Sequence, residues 1–434
     1  MRKSLFLYVA VLLYNTSATP VLIKRDHALK SWVSSLQNSA NSATTWMGLP
    51  NLVAKLEEEA GFTDTKMPTE VFTVPGYANW TSKGWNLRTH GTAYSLIPFT
   101  TRRLDSIGKI ILNKYPRHKW TPEMRNMVHN MTSSLFSKPK EHVRLSYKLI
   151  QHTSKSDPGT LVDTFSIPRA TNLRGEFDAW HTVRSPLLHS GAGHGAIQTL
   201  DEYTDTSNIG NATAYFVPEE GVTVVADIDD ILRETVIWLP RTGLANSFGH
   251  NYRPWDKMPS ILHSWQTADP TMHFHYSTTT PQPDARKYLE FIFAYYPPGS
   301  FDLRTMNLTM YSQIFDPRRV NLIRIVQSFP KRRFIIMGDT SNSDAMAGYP
   351  AMVALFPGQV QCILMRNISA TDDTNAFPYT TSAFKGVDRN LYQFFRTPED
   401  LEGIDFSNGG CRNHTFPQNV TFSTQYPSWQ PCIT

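Results

Sequence analysis

The sequence of 434 residues predicts an α/β protein in which a parallel sheet flanked by helices follows a β-rich, sandwich-like domain. Strand-like and helix-like segments alternate after Gly221, which is typical of parallel sheets. Between residues 63 and 217, alternating polar and apolar residues with Gly and Pro punctuation favour short strands. The chain is also too long for one ordinary core. Two main domains are therefore expected, at residues 63–217 and 218–405.

The N-terminal residues indicate a secretory route. Arg2 and Lys3 precede a short apolar stretch, and small residues follow up to Ala18, so residues 1–18 are predicted to be a signal peptide. No later segment is long and apolar enough to be transmembrane. Seven Asn-x-Ser/Thr sequons follow, at Asn79, Asn130, Asn211, Asn307, Asn367, Asn413 and Asn419. We expect a protein that is secreted or lies in the lumen of the secretory pathway.

Two segments flank the predicted domains. Residues 19–62 are expected to be a propeptide or a helical N-terminal segment, and residues 406–434 a polar C-terminal tail. Three cysteines allow one disulfide in an oxidising compartment. The tail contains Cys411 and Cys432, and a bond between them would pin it, whereas Cys362 lies in an apolar run and is expected to be a buried thiol.

A helix interrupts the β-rich region. Thr121 is a suitable N-cap and Pro122 fits the first turn. The following apolar residues share one face at helical spacing, namely Met124, Val128, Met131 and Leu135. The methionines of this helix are therefore expected to belong to a core.

Composition excludes several classes of function. The formal charge of +5 is spread along the chain, and the two short basic runs, at residues 318–319 and 331–333, fall short of a nucleic-acid-binding face. No G-x-S-x-G motif of a serine hydrolase is present. No Cys/His set has zinc spacing. No stable protein partner can be inferred.

Four strands of the second domain are expected to begin at Thr223, Met272, Arg333 and Gln361. Helices are expected between them, near residues 285–295, 320–328 and 344–355. In parallel sheets of this kind the ligand site lies at the carboxyl ends of the strands. The first three of these strands end in polar residues suited to chemistry.

Two carboxylates, Asp227 and Asp229, follow the buried β-branched run at residues 222–225. Alternate residues of an extended segment face one side, so both can address one site, which suits an Asp nucleophile beside an Asp proton donor. Thr278 closes the second strand, and Asp339 closes the third with Asp344 shortly after. Carboxylates and hydroxyls converging in this way describe a Mg²⁺ site that handles phosphate. Two carboxylates about 4 Å apart at an effective dielectric near 20 repel by roughly 4 kcal/mol, so a cation is needed.

Ordered motifs then narrow the interpretation. GVTVVADIDDILRET, FHYSTTTP, YPPGSF, SFPKRRFIIMGDTSNSD and ILMRNIS follow one another, after VPGYANW, GWNLRTHGTAYSL and GEFDAWHTV. From about Glu70 to Leu401 the chain resembles the magnesium-dependent phosphatidate phosphatases named for an actin-patch protein, within the haloacid dehalogenase superfamily. The resemblance implies a haloacid-dehalogenase-like Rossmannoid catalytic domain. It also implies a phospholipid substrate at a membrane or vesicle surface.

The resemblance assigns roles residue by residue. Asp227 matches the nucleophile that forms an aspartyl-phosphate, and Asp229 the acid and base. Thr278 matches the hydroxyl that holds the phosphoryl group. Arg318 falls near the motif cation, with Arg319 as an alternative. The family's metal-binding positions correspond to Asp227, Asp229, Asp339 and Asp344.

Two departures from the family's pattern leave alternatives open. Ile231 replaces a threonine, and Asn342 stands where an acid is usual. A catalytically decayed lipid-binding protein therefore remains an alternative to a phosphatidate phosphatase. A secreted phosphomonoesterase for soluble esters, with the same chemistry on another substrate, is a second alternative. Among neighbouring residues, His273 and His275 are expected to be structural. Asp230 is expected to cap or solvate the turn.

Overall fold

A computed structural model describes residues 67–112, 120–135, 137–154, 156–206, 210–236, 240–281, 285–304, 317–368 and 381–415. The predicted signal peptide, residues 19–62 and Cys432 lie outside this range. The chain divides into two compact units. Among the described residues, the smaller unit draws on residues 67–68, 95–138 and 235–251, and the larger on residues 69–94, 139–234 and 252–415. The domain boundaries expected from the sequence remain a prediction.

Strands and helices are numbered in chain order. The strands are β1 Glu70–Val74, β2 Tyr77–Thr81, β3 Gly84–Leu96, β4 Ser137–Pro139, β5 Ser146–Gln151, β6 Thr160–Ser166, β7 Glu176–Val183, β8 Gln198–Thr204, β9 Ala212–Val217, β10 Val222–Asp227, β11 His273–Pro281, β12 Ser300–Arg304, β13 Arg333–Asp339, β14 Val360–Arg366 and β15 Tyr392–Phe395. The helices are α1 Thr101–Ile111, α2 Pro122–Leu135, α3 Pro240–Phe248, α4 Met258–Ala268, α5 Arg286–Tyr295, α6 Pro317–Ser328 and α7 Ser343–Leu355. Short 3-10 helices lie at Ser382–Phe384, Arg389–Leu391 and Pro398–Leu401.

The smaller unit contains α1, α2 and α3. The predicted cap of α2 is confirmed, because Thr121 Oγ1 accepts a hydrogen bond from the Met124 amide at 3.1 Å. Met124, Val128 and Met131 are buried, as their spacing predicts. No described helix in either unit is long and apolar enough to cross a membrane.

The β-rich half forms one largely antiparallel sheet in the larger unit, which confirms its predicted strand content. Its strand order is β1-β3-β2-β9-β8-β5-β6, with β7 also paired to β3. The long strand β3 pairs with β2 along its first half and with β1 along its second. The chain bends between β1 and β2 at Gly76, where a Cβ would lie 2.2 Å from the Arg88 carbonyl oxygen. Only glycine allows this close approach.

The second sheet is parallel throughout, which confirms the parallel sheet predicted from the sequence. Its order is β12-β11-β10-β13-β14-β15. The central strand β10 is buried on both sides, with Val224 in one apolar cluster and Val225 in another. Because the strands run in one direction, Asp227 and Asp339 end neighbouring strands at the same edge. This edge is where the sequence placed the site.

A buried ionic network joins the two sheets of the larger unit. Arg88 of β3 donates to Asp302 of β12 at 2.7 Å, and both side chains are buried. Arg88 also pairs with Asp178 of β7 at 2.9 Å, and Arg324 of α6 approaches Asp302 at 3.4 Å. Burial raises the pKa of Asp302, but Arg88 and His275 together lower it by more. The pKa of Asp302 therefore lies well below its usual range. The charges therefore remain paired where they are shielded from water.

The prediction that Cys362 is a buried thiol is wrong. Cys362 of β14 is bonded to Cys411, with their Cα atoms 5.1 Å apart. The segment after β15 returns alongside β14, where the Gln361 amide donates to the carbonyls of Phe406 and Gly410. These bonds bring Cys411 over Cys362, so Cys362 is not a free thiol. The spacing of the cysteines in the sequence does not show that the chain folds back onto β14.

A buried acid lies inside the β-rich sheet. Glu202 of β8 is fully buried, and its Oε1 accepts a hydrogen bond of 2.5 Å from Thr89 Oγ1. Burial raises the pKa of Glu202 from 4.5 to about 8, although Thr89 opposes the shift. The carboxyl group is therefore protonated in the folded protein near neutral pH.

We expect Glu202→Gln to change how stability depends on pH. The folded pKa of Glu202 is raised, so its contribution is fully present below pH 4.5 and is lost as pH rises through about 8. Each unit of pKa difference corresponds to about 1.4 kcal/mol, so the glutamine variant gains several kcal/mol over wild type between pH 4 and pH 9. Urea denaturation at both pH values measures the gain, with the exposed Glu290→Gln as control. Parallel curves for wild type and Glu202→Gln contradict this expectation.

Candidate active site

Asp227 ends strand β10 and is buried at the carboxyl edge of the parallel sheet. Its Oδ1 accepts a hydrogen bond from the Ile228 amide at 3.2 Å. Its Oδ2 accepts one from Arg318 Nη2 at 2.8 Å. The predicted nucleophile is thus fixed by a backbone donor and a cation.

Arg318 bridges two carboxylates. Its guanidinium donates to Asp227 through one nitrogen and to Asp344 of α7 through the other. Arg318 is buried on the first turn of α6, whereas the neighbouring Arg319 is exposed. Of the two arginines that the sequence leaves open, the structure brings Arg318 to the candidate site.

Asp339 is buried at the end of β13 and is held by the turn that follows. The Ser341 amide donates to Oδ1 at 2.7 Å, and the Ser341 hydroxyl donates to the same oxygen. The side-chain amide of Asn342 donates to Oδ2. The residue that departs from the family's pattern therefore orients Asp339 directly, which the sequence could not show.

Thr278 is buried on β11, one residue beyond Ser277, the partner of Asp227 in the strand register. It therefore lies at the same sheet edge as Asp227. His273 and His275 of β11 both contact Ser300 Oγ, at 2.9 and 2.8 Å. These contacts are consistent with the structural role expected for the two histidines.

The loop after Asp227 packs against the core. Ile231 is fully buried among apolar residues. Asp230 has a φ of 60°, a left-handed conformation that Asp adopts more readily than most residues. It is also fully buried, so it does not solvate the turn, and its expected capping role stays a prediction. Its carbonyl accepts a hydrogen bond from Arg366, a buried cation of β14 that the sequence analysis missed.

Asp229 is turned toward two side chains that the sequence analysis also missed. Tyr288 Oη donates to both oxygens of its carboxylate at 3.1 Å. Arg233 Nε lies 3.2 Å from Oδ1. Arg233 lies within the motif GVTVVADIDDILRET, but nothing in the sequence assigns it a role. No motif signals Tyr288, because α5, which carries it, reaches Asp229 only through the fold.

Burial and neighbouring charges together raise the pKa of Asp227 to about 8. Burial is the largest cause, Arg318 opposes it, and Asp339, Asp229 and Asp344 add smaller upward contributions. Burial likewise raises the pKa of Asp339. Arg318 alone therefore does not compensate the negative charge at this edge.

The donor set fits a cation that is completed by water and substrate. Among the described residues, no three His, Cys, Asp or Glu side chains converge closely enough to form a metal-binding group. Mg²⁺ typically uses one or two carboxylates together with waters and phosphate oxygens. Asp227 and Asp339, whose negative charge helps to raise the pKa of Asp227, supply such a pair.

Comparison with known proteins bears on the same region. Residues 222–367 match the family model described as phosphatidate phosphatase APP1, catalytic domain. The matched segment is similar to this family over about a third of the chain. It contains Asp227, Asp229, Thr278, Arg318, Asp339 and Asp344. The family resemblance expected from the sequence is confirmed here.

One curated relative of the APP1 family extends the comparison. The chain is 29% identical over 163 residues to phosphatidate phosphatase APP1 of Saccharomyces cerevisiae. This alignment covers 35% of the chain and 27% of that relative. The chain thus spans only about a quarter of the curated protein that it matches.

We expect Arg318→Met to destabilise the protein and Arg319→Met to leave it nearly unchanged. Breaking a buried ion pair by removing one partner costs about 3–5 kcal/mol, whereas an exposed substitution changes stability by about 0.5 kcal/mol or less. The free energy of unfolding, measured in urea with a chelator present, checks both values. Equal effects of the two substitutions are the contrary outcome.

Proposed function

We propose that this protein is a phosphatidate phosphatase that hydrolyses phosphatidate to diacylglycerol and phosphate. The observation that supports it best is the meeting of Asp227, Arg318, Asp339 and Asp344 within a segment of the APP1 catalytic family. We also propose that the parallel sheet with its helices is a haloacid-dehalogenase-like Rossmannoid domain. The order of strand-end motifs supports that assignment.

The proposed reaction has two steps. An oxygen of Asp227 attacks phosphorus, and the bond from phosphorus to the glycerol oxygen breaks while Asp229 gives that oxygen its proton. Asp229 then takes a proton from water, which attacks the aspartyl-phosphate and releases phosphate and the Asp227 carboxylate. Thr278 holds the phosphoryl oxygens. Arg318 orients Asp227 and neutralises charge.

We further propose that Mg²⁺ is the cofactor. The ion, when bound, neutralises phosphate oxygens and offsets the repulsion among the carboxylates. Asp227 and Asp339 would hold it, with Asp229 and Asp344 as the remaining members of the family's set. Asn342 and Ser341 keep Asp339 oriented for this purpose.

One alternative differs from the leading proposal in its substrate, and the other in lacking catalytic activity. A phosphomonoesterase for soluble esters would use the same residues, so only the substrate separates it from the leading proposal. A decayed lipid-binding protein was suggested by Ile231 and Asn342. The burial of Ile231 in the core and the bond from Asn342 to Asp339 favour an intact site.

Phosphate release from a substrate panel tests the proposal. We expect the wild type with Mg²⁺ to hydrolyse phosphatidate in mixed micelles faster than glycerol 3-phosphate. Asp227→Asn removes the nucleophile and is expected to lower release to the uncatalysed background, whereas the exposed Asp256→Asn is expected to behave as wild type. Chelation is expected to abolish release and Mg²⁺ to restore it.

The panel also separates the alternatives. Faster hydrolysis of soluble esters supports the phosphomonoesterase. A folded wild type that releases no phosphate from any ester supports the binding protein. Activity that survives Asp227→Asn contradicts the proposed mechanism.

We also propose that the protein is secreted or resides in the lumen of the secretory pathway. The N-terminal signal, the sequons and the disulfide between Cys362 and Cys411 support this, because such bonds persist in oxidising compartments. We expect the full-length chain to reach the medium of expressing cells with glycans attached. Deleting residues 1–18 is expected to retain an unglycosylated chain inside; identical fractionation of the two chains contradicts the proposal.

A further inference from the structure

We propose that Tyr288 and Arg233 are positioning residues that hold the Asp229 carboxylate in the orientation needed for proton transfer. This inference rests on the proposed phosphatase reaction, in which Asp229 protonates the leaving oxygen. It adds Tyr288, which lies outside the motif that contains Asp227 and Asp229, and Arg233, which lies in that motif but was given no role.

The Tyr288 hydroxyl lies equally close to both oxygens of the Asp229 carboxylate. Its hydroxyl is 3.1 Å from Oδ1 and 3.1 Å from Oδ2 of Asp229. The Tyr288 side chain is 4% exposed and packs in the apolar cluster behind the sheet. Packing of the buried ring fixes the position of the hydroxyl oxygen, so the carboxylate is held by a donor that is itself well positioned.

Arg233 contacts the same carboxylate from a second direction. Its Nε lies 3.2 Å from Oδ1, and its side chain is 1% exposed. The guanidinium carbon lies 3.7 Å from the ring centroid of Tyr252 and 5.0 Å from that of Tyr288. The two rings meet edge to face, with centroids 5.3 Å apart. Tyr288 therefore contacts both Arg233 and Asp229, the carboxylate with which Arg233 pairs.

Backbone hydrogen bonds also fix the turn that contains Asp229 and Arg233. The Arg233 amide donates to the Ile228 carbonyl at 3.2 Å, and the Arg233 carbonyl accepts from the Asp230 amide at 3.0 Å. The position of Arg233 is therefore tied to the strand end that carries Asp227. Removal of the Tyr288 hydroxyl takes away its bonds to Asp229, whereas these backbone bonds of the turn do not involve Tyr288.

Orientation matters because a general acid must lie within hydrogen-bond reach of the atom that it protonates. A misplacement of about 1 Å can cost about 100-fold in rate. The need for the proton depends on the leaving group. Diacylglycerol leaves as a strongly basic alkoxide unless it is protonated, whereas p-nitrophenolate leaves as a stable anion.

The test compares these two leaving groups. We expect Tyr288→Phe to lower kcat for phosphatidate by about 10-fold or more, within the range of general acid catalysis, and to change kcat for p-nitrophenyl phosphate by less than about 2-fold. The phenylalanine ring still packs beside Arg233, so folding is expected to be retained. Tyr295→Phe, an exposed position on the same helix, is the matched control and is expected to leave both rates unchanged.

A double-mutant cycle shows whether Tyr288 acts through Asp229. If it does, Tyr288→Phe combined with Asp229→Asn loses no more phosphatidate activity than Asp229→Asn alone, because interacting residues are not additive. Arg233→Lys keeps the charge but loses the planar fork, and it is expected to show the same selectivity for leaving group.

Other outcomes overturn the inference. Equal losses on both substrates show that Tyr288 supports the fold and not proton transfer. Multiplicative losses in the double variant show that Tyr288 acts independently of Asp229. A wild type that hydrolyses neither ester refutes the proposed function itself, so the two failures are distinguishable.

Discussion

The candidate site depends on one constraint, which is that acidic side chains converge where water is scarce. Asp227 and Asp339 are buried at neighbouring strand ends, and Asp344 begins the helix that follows. Arg318 bridges Asp227 and Asp344, yet burial and the neighbouring carboxylates still raise the pKa of Asp227 to about 8. Such repulsion is costly in a resting protein. It becomes useful where a cation and a phosphate group complete the balance of charge.

The β-rich sheet contributes to the placement of Arg318, although it carries none of the proposed catalytic residues. Arg88 fixes Asp302, and Asp302 in turn attracts Arg324 of α6. At the end of the same helix, the Asn79 amide of β2 donates to the Ser328 carbonyl at 2.9 Å. Helix α6 is thus bound near its C-terminal end by Asn79 of the first sheet and at Arg324 by an aspartate that Arg88 of the first sheet fixes, and Arg318 lies on its first turn.

Much of the fold and most of the site followed from the sequence, because both depend on local patterns. A β-branched run that ends in Asp227 predicts a buried strand with chemistry at its end, and parallel connectivity then brings Asp339 to the same edge. Contacts between distant segments did not follow. Tyr288 and Arg366 reach the site through packing and leave no periodic signal. The pairing of Cys362 was missed because it requires the chain after β15 to fold back, which depends on tertiary contacts such as those of Gln361.

The disulfide also has a mechanical consequence. Strand β15 forms the last edge of the parallel sheet and pairs with β14 alone. Because Cys411 is covalently joined to Cys362 within β14, tension applied to the C terminus is transmitted directly to β14 and bypasses β15. The outermost strand cannot be peeled away from that end while the bond is intact. Pulling must instead strain the strand that lies next to the one ending in Asp339.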